Sequence, residues 1–297
     1  MKTRVICLGV ATLDIVMAVN RIPLKAGKYR TNSANIVGGG MAANAAVAVA
    51  RLGGSARLVS RLGQDPMGDQ IISELKSDGV DCSLIQQFHD IKTSFSSVYV
   101  DSDGERQLVN FRDPKLPVSP DWVTRGLNQF DAILSDPRWP EGAHAAMLAA
   151  KNSTKPGIID AESPALEAKD ALMIASHIAF SAEGLRDYGD TGHLEEGLII
   201  AERQLQGFVA VTDGENGVYW RDNGRTRHSP AFNVPIVDTL GAGDVWHGAF
   251  ALELAHQTPI AHAIRFANAA AALKCMKPGG RTGAPTRDQV DTFLQTA

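Results

Sequence analysis

The chain has 297 residues, enough for one large α/β domain with a sizeable core of its own. Its net charge of −4 lacks the basic excess of a nucleic-acid binder, and no run approaches the ~18 apolar residues of a membrane span. Its 3 cysteines, Cys7, Cys82 and Cys275, lie far apart without C-x-x-C spacing, as reduced thiols of a cytoplasmic protein do. Lys2 and Arg4 precede an apolar run, but Asp14 cuts it short, so a buried first strand is expected instead of a signal peptide.

In chain order, Val5 to Leu8 reads as a strand ended by Gly9. Met41 to Leu52 reads as a small-residue helix closed by Gly53-Gly54, Ala56 to Ser60 as a strand, and Pro66 to Asp78 as a helix ending at Gly79. The stretch "TSFSSVYVDSDGERQLVNF" alternates with period two on either side of a turn at Asp101–Gly104, the pattern of a β-hairpin. Ala132 to Leu134, Gly157 to Ile159, Ile178 to Phe180 and Val209 to Thr212 are short apolar strands, with helical patterns over 141–152, 164–175 and 193–206. Strands alternating with helices predict an α/β fold whose mostly parallel sheet is covered on both faces. Residues 16–37 hold strand-like pieces and no helix. Together with 88–113 they are expected to form a small β-lid on a single domain spanning 1–297.

Two glycine-rich turns carry the chemistry. In "VDTLGAGDVWHGAF", Gly241-Ala242-Gly243 opens a helix, so unpaired backbone N–H groups and the helix dipole favour an anion there. Asp244 would repel that anion unless it takes a proton from a hydroxyl attacking a phosphoryl group held by the neighbouring amides. Alone, the turn is as readily a glycine-capped helix with an acidic first turn. The second turn, "IVGGGMAANAAVAVARLGG", runs through Gly38-Gly39-Gly40 into a helix with Asn44 one turn in. Its G-x-G-x-x-A weakly matches a dinucleotide fingerprint, yet no acidic residue follows at the strand end where a ribose contact would fall. A P-loop is absent. The 8 histidines are scattered, lack H-E-x-x-H spacing, and are read as surface or packing residues.

Together the two turns resemble the paired signatures of the ribokinase-like PfkB carbohydrate kinases, and the resemblance runs from end to end. It implies a three-layer α/β/α fold with a β-sheet lid, ATP and Mg²⁺ as cofactors, and a homodimer through the lid. By resemblance, Asp244 is the base, and the amides of Gly241, Ala242, Gly243 and Asp244 form an anion hole. Asp14, at the end of the first strand, matches the aspartate that binds sugar hydroxyls, and Gly39, Gly40 and Asn44 match the sugar-facing turn. "VTDGENGV" matches the strand and turn at the nucleotide, placing Thr212, Gly214 and Gly217 near ATP, while Asn268 matches a residue near the adenosine. The N-x-x-E motif of many members is replaced, with Ser181 and Gly184 at its positions in "FSAEGL". Asp238 and "MKPGGRTG" resemble the parts that surround a monovalent cation such as K⁺ in some members.

The acceptor is the least constrained inference. Lys28, Asn110 and Arg138 come from three segments; singly, each is more commonly a solvated charge or a turn residue. "AGKY", "GER…VNF", "PRW" and "ALKCMKPGGRTGAP" are most similar to bacterial sulfofructose kinases of sulfoquinovose degradation. That resemblance implies that Lys28, Asn110 and Arg138 hold a sulfonate while the C1 hydroxyl is phosphorylated. Fructose 6-phosphate, tagatose 6-phosphate and a neutral ketose are the alternatives within the family. A Rossmann oxidoreductase and a silent sugar-binding regulator are the alternatives outside it.

Overall fold

The structure is a computed structural model that describes residues 2–31, 33–103, 105–124 and 126–296. Gly104, in the expected hairpin turn, lies outside the described residues. The strands are β1 (Arg4–Leu8), β2 (Thr12–Ala18), β3 (Ser33–Gly39), β4 (Ser55–Gly63), β5 (Asp81–Phe88), β6 (Phe95–Val100), β7 (Arg106–Phe111), β8 (Ala132–Ser135), β9 (Gly157–Ala161), β10 (His177–Ser181), β11 (Phe208–Thr212), β12 (Val218–Asp222) and β13 (Arg225–Ser229). The helices are α1 (Met41–Arg51), α2 (Pro66–Ser77), α3 (Asp121–Thr124), α4 (Pro140–Asn152), α5 (Lys169–Leu172), α6 (Ala182–Gly189), α7 (Leu194–Gln204), α8 (Ala242–Ala255), α9 (Ile260–Cys275) and α10 (Arg287–Thr296).

Nine strands form one sheet in the order β13-β12-β11-β10-β9-β8-β1-β4-β5, parallel from β11 through β5 with an antiparallel β12–β13 edge. Helices cover both faces, as the near-continuous apolar strands require. Within β1, Val5 and Cys7 join the core under α1, α8 and α9, while Ile6 and Leu8 join the core on the α4 side. The three-layer expectation is met. Among the described residues no helix is long and apolar enough to cross a membrane.

β3-β2-β6-β7 form a separate four-stranded lid. Its first strand starts at Thr12 and its second ends at Gly39, so the lid reaches further than 16–37, whereas Phe88 still belongs to β5 of the main sheet. Asp14 therefore lies not at the end of the first strand but inside β2, because β1 stops at Leu8 and the chain re-enters an extended conformation almost at once. The helix expected over 164–175 is instead a 3₁₀ turn over Ala165–Ala168 followed by the short α5. Buried Ala165, Ala168, Ala171 and Leu172 plug this segment into the core, and that packing overrides a regular helical repeat.

Candidate active site

The parallel strands deliver their following loops to one edge of the sheet, where ligands of open α/β folds bind. α8 begins there. Gly241 is its N-cap, with φ 73° and ψ 10°, a left-handed conformation that glycine adopts without strain. The first intrahelical bond runs from Val245 N–H to Gly241 O. Ala242 N–H is already donated to Thr239 O at 3.1 Å, so it drops out of the expected set of anion donors. The N–H groups of Gly241, Gly243 and Asp244 remain for an anion. A Cβ placed on Gly243 would meet nothing within 4 Å, so an anion can approach it freely.

Asp244 is brought to this edge by two helices that pack closely. α1 is lined with buried alanines, and Gly248 of α8 sits so near it that a Cβ would lie 2.6 Å from Ala45 O. This closeness lets Asn44 Nδ2 donate to Asp244 Oδ2 at 2.7 Å across 200 positions of sequence. Asn44 thus holds the Asp244 carboxylate in place, while its own Oδ1 is buried without a hydrogen-bond partner. Burial, and then the negative charge of Asp160, push the Asp244 carboxyl up to about 7. A carboxyl so tuned is protonated in acid, where it could not accept the proton of an attacking hydroxyl. We expect kcat/KM to climb about tenfold per pH unit up to near pH 7 and then level off, which a pH–rate profile checks. A flat profile between pH 5 and pH 8 would contradict it.

The first glycine turn has a different task. Ala42 N–H donates to Asp136 Oδ2 at 3.2 Å, and Ala43 N–H to Val10 O at 3.3 Å, so the start of α1 is already occupied by protein acceptors. Buried Asp136 also accepts from Val10 N–H at 2.8 Å and Arg138 N–H at 2.9 Å, tying three turns together. The dinucleotide reading of this turn fails on that ground. Gly39 instead makes room for Asp14, because a Cβ there would stand 2.2 Å from Asp14 Oδ2. Asp14 takes a further bond from Thr12 Oγ1 at 3.3 Å. Burial raises its carboxyl above the usual range, against the opposing pull of Ser96, Thr12 and the Arg281 charge. Gly40, the last residue of this turn, is the N-cap of α1.

Strand register sets Asp14 opposite Ser96 and Ser96 opposite Asn110, so all three project from one face of the lid. Among the described residues no hydrogen bond or ion pair joins Lys28 or Arg138 to that row. Lys28 is exposed in the loop between β2 and β3. Arg138 turns its Nη2 to Glu162 Oε2 at 3.1 Å and to Ser163 O at 2.7 Å. Arg106, which sequence reasoning left aside, reaches from β7 to Asp238 Oδ1 at 3.3 Å and Thr239 Oγ1 at 3.1 Å, and so ties the lid to the loop preceding α8.

Beside α8 lies a cleft of about 560 Å³, lined among others by Thr212, Gly214, Gly217, Ala242, Gly243, Trp246 and Asn268. The four residues expected near ATP therefore share one cavity with two of the anion turn. Asn268 is a brace within its wall. Its Oδ1 accepts from Trp246 Nε1 at 2.8 Å and its Nδ2 donates to Pro230 O at 3.1 Å, so its polar atoms already serve protein partners. His247, within the surface-or-packing expectation for the histidines, is a packing residue: it is buried beneath Asp244's helix turn, with Asp160 Oδ2 3.4 Å from Nδ1 and Gly243 O at 2.9 Å. Burial drives both partners toward their neutral forms. Only the spacing of three from Asp244 could have hinted at this.

The pfkB family carbohydrate kinase model matches residues 2–287. The chain belongs to this family. Ribokinase of Bacillus subtilis (strain 168) is 28% identical over 296 residues, covering 98% of this chain and 99% of that protein. A structure from Agrobacterium tumefaciens assigned as a ribokinase has a TM-score of 0.91 at 33% identity, covering 100% of this chain and 98% of that one. Arabidopsis thaliana ribokinase complexed with ribose and ATP shares the fold, with a TM-score of 0.88 at 22% identity over 100% of this chain and 99% of its own. The protein is thus a sugar kinase, a phosphotransferase with an alcohol group as acceptor.

The replaced N-x-x-E motif has a structural reason in this kinase. Ser181 caps α6 by accepting from Gly184 N–H at 3.0 Å, and a Cβ on Gly184 would meet Ala161 O at 2.2 Å, so a glutamate there is excluded. Among the described residues no group of three or more His, Cys, Asp or Glu side chains is placed to hold a metal ion.

Proposed function

We propose that this kinase transfers the γ-phosphoryl group of Mg-ATP to the C1 hydroxyl of 6-deoxy-6-sulfofructose, releasing ADP and sulfofructose 1-phosphate. The observation that supports transfer most strongly is the run Asp14, Gly39, Asn44 and Asp244, which joins the lid to the anion turn at the mouth of the nucleotide cleft. Asp244 takes the hydroxyl proton, the freed oxygen bonds to the γ-phosphorus, and the bond from that phosphorus to the bridging oxygen of ADP breaks. The N–H groups of Gly241, Gly243 and Asp244 hold the developing charge. No phospho-enzyme is required. The lid excludes water that would compete as acceptor.

Asn110 beside Ser96 supports an acceptor that extends past Asp14 along the lid, where Lys28 and Arg138 would meet a sulfonate. The bond of Arg138 to Glu162 favours a second reading, a neutral ketose such as fructose, with Arg138 as a structural residue. ADP release with equal concentrations of sulfofructose, fructose 6-phosphate, tagatose 6-phosphate and fructose separates these. We expect sulfofructose to be preferred, and Arg138→Ala to cost about 10–100-fold in kcat/KM on it while sparing fructose. A preference for a sugar phosphate would keep the anion site and change its ligand. Equal losses on charged and neutral sugars would remove Arg138 from the site. Exposed Ile36 and Val109, on the lid face opposite Asp14, support a homodimer through the lids. The three free cysteines suit a cytoplasmic setting.

A further inference from the structure

The loop that leads into the anion turn is wrapped around a buried cation supplied by the chain itself. Lys274, in the last turn of α9, has a fully buried side chain. Its Nζ donates to Asp238 O at 2.7 Å and lies 3.3 Å from Asp238 Oδ2. The N–H groups of Val237 and Asp238 donate in return to Cys275 O, at 2.8 Å and 3.1 Å, so loop and helix end are bonded in both directions. The Asp238 carboxylate also accepts from Leu240 N–H at 2.8 Å and from Gly279 and Gly280 N–H at 3.0 Å and 3.3 Å.

A carbonyl and a carboxylate converging on one positive charge is the oxygen environment a hard metal cation would use. Here an ammonium fills it. The 276–283 segment turns the N–H groups of Gly279 and Gly280 toward Asp238, and three of its carbonyls serve protein donors: Gly279 O accepts from Thr282, Arg281 O from Ala284 N–H, and Thr282 O from Arg51. The residues present therefore do not fit the monovalent cation that Asp238 and "MKPGGRTG" led us to expect. A metal ion at the Asp238 carbonyl and carboxylate would stand against the Lys274 ammonium that already occupies them.

We propose that Lys274 is the tethered cation of this kinase, positioning the Asp238–Gly241 loop and through it the anion-holding N–H groups, so that turnover needs no monovalent metal ion. The inference rests on the kinase assignment and not on the identity of the acceptor. The test follows ADP release with whichever sugar supports turnover, in chloride salts of K⁺, Na⁺, ammonium and tetramethylammonium at constant ionic strength. The native enzyme is expected to vary less than about twofold across them, since its loop is already held. Lys274→Ala is expected to lower kcat about 10–100-fold with a smaller change in KM, as misplacing transition-state donors does. Methylammonium or K⁺ should restore much of that loss, because they fit the vacated space. Lys274→Met fills the space with an uncharged chain and should be slow and unresponsive. Strong K⁺ activation of the native enzyme would overturn the proposal even if both variants failed to fold. So would a Lys274→Ala enzyme with native kcat, or one whose loss no cation repairs.

Discussion

Asp244→Asn is expected to lower kcat by about 10²–10⁴-fold while ATP still binds. The amide keeps the size of the side chain and can still bond Asn44, but it cannot take the proton of the attacking hydroxyl. The Asp244 side chain is not among the residues lining the nucleotide cleft, whose walls come from the β11–β12 turn, α9 and the neighbouring residues Ala242, Gly243 and Trp246, so nucleotide affinity measured by calorimetry should change little. The same substitution should stabilise the fold at alkaline pH. The carboxyl is raised from 3.8 in the unfolded chain to about 7 in the folded protein, so its protonated form is the one the fold favours. That contribution is complete below the unfolded value and is lost as pH rises through the folded one. Above pH 7 the native protein carries a desolvated charge that the asparagine variant lacks, and its Tm should trail the variant's, the gap closing toward pH 4. A variant with native kcat would remove Asp244 from the chemistry.

Asp14→Ala should act on the other substrate. In the proposed role, the half-buried Asp14 carboxylate would make charge-assisted hydrogen bonds to sugar hydroxyls, and losing two of them should lower kcat/KM for the acceptor by about 10²-fold or more. The affinity for ATP should be untouched, because Asp14 belongs to the lid and lines no part of the nucleotide cleft. Gly39→Ala is expected to reproduce the defect without altering a polar atom, since its methyl group would displace the Asp14 carboxylate. Steady-state kinetics varying each substrate in turn distinguish this from a general loss of fold. An equal loss of ATP affinity in Asp14→Ala would place the residue elsewhere in the mechanism.

Features that depend on local chain pattern were legible in the sequence. The glycine turns, the helix opening at Asp244 and the period-two hairpin over 95–111 each express a backbone requirement written in consecutive residues. What escaped depends on contacts between distant segments. Nothing near Asn44 announces that its amide will meet Asp244, because that depends on how closely alanine-lined α1 and Gly248 of α8 can approach. Lys274 looks like an ordinary basic residue ending an alanine-rich helix until Asp238 is seen folded against it. Ala242 was expected to offer its N–H to an anion, but the turn that precedes the helix uses that donor first. His247 carries no motif at all, and its burial against Asp160 is a consequence of tertiary packing alone. Asp14 falls in β2 and not at the end of β1 because the apolar run resumes directly after Gly9 and only three residues, Gly9 to Ala11, separate the two strands.

Direct transfer from nucleotide to sugar at Asp244 can be followed with ATP labelled in its γ-phosphoryl group. The label should pass to the acceptor in a single turnover with none retained on the protein, and Asp244→Asn should abolish that passage without preventing ATP from binding. Label trapped covalently on the enzyme, or transfer undiminished in the variant, would contradict a one-step transfer with Asp244 as its base.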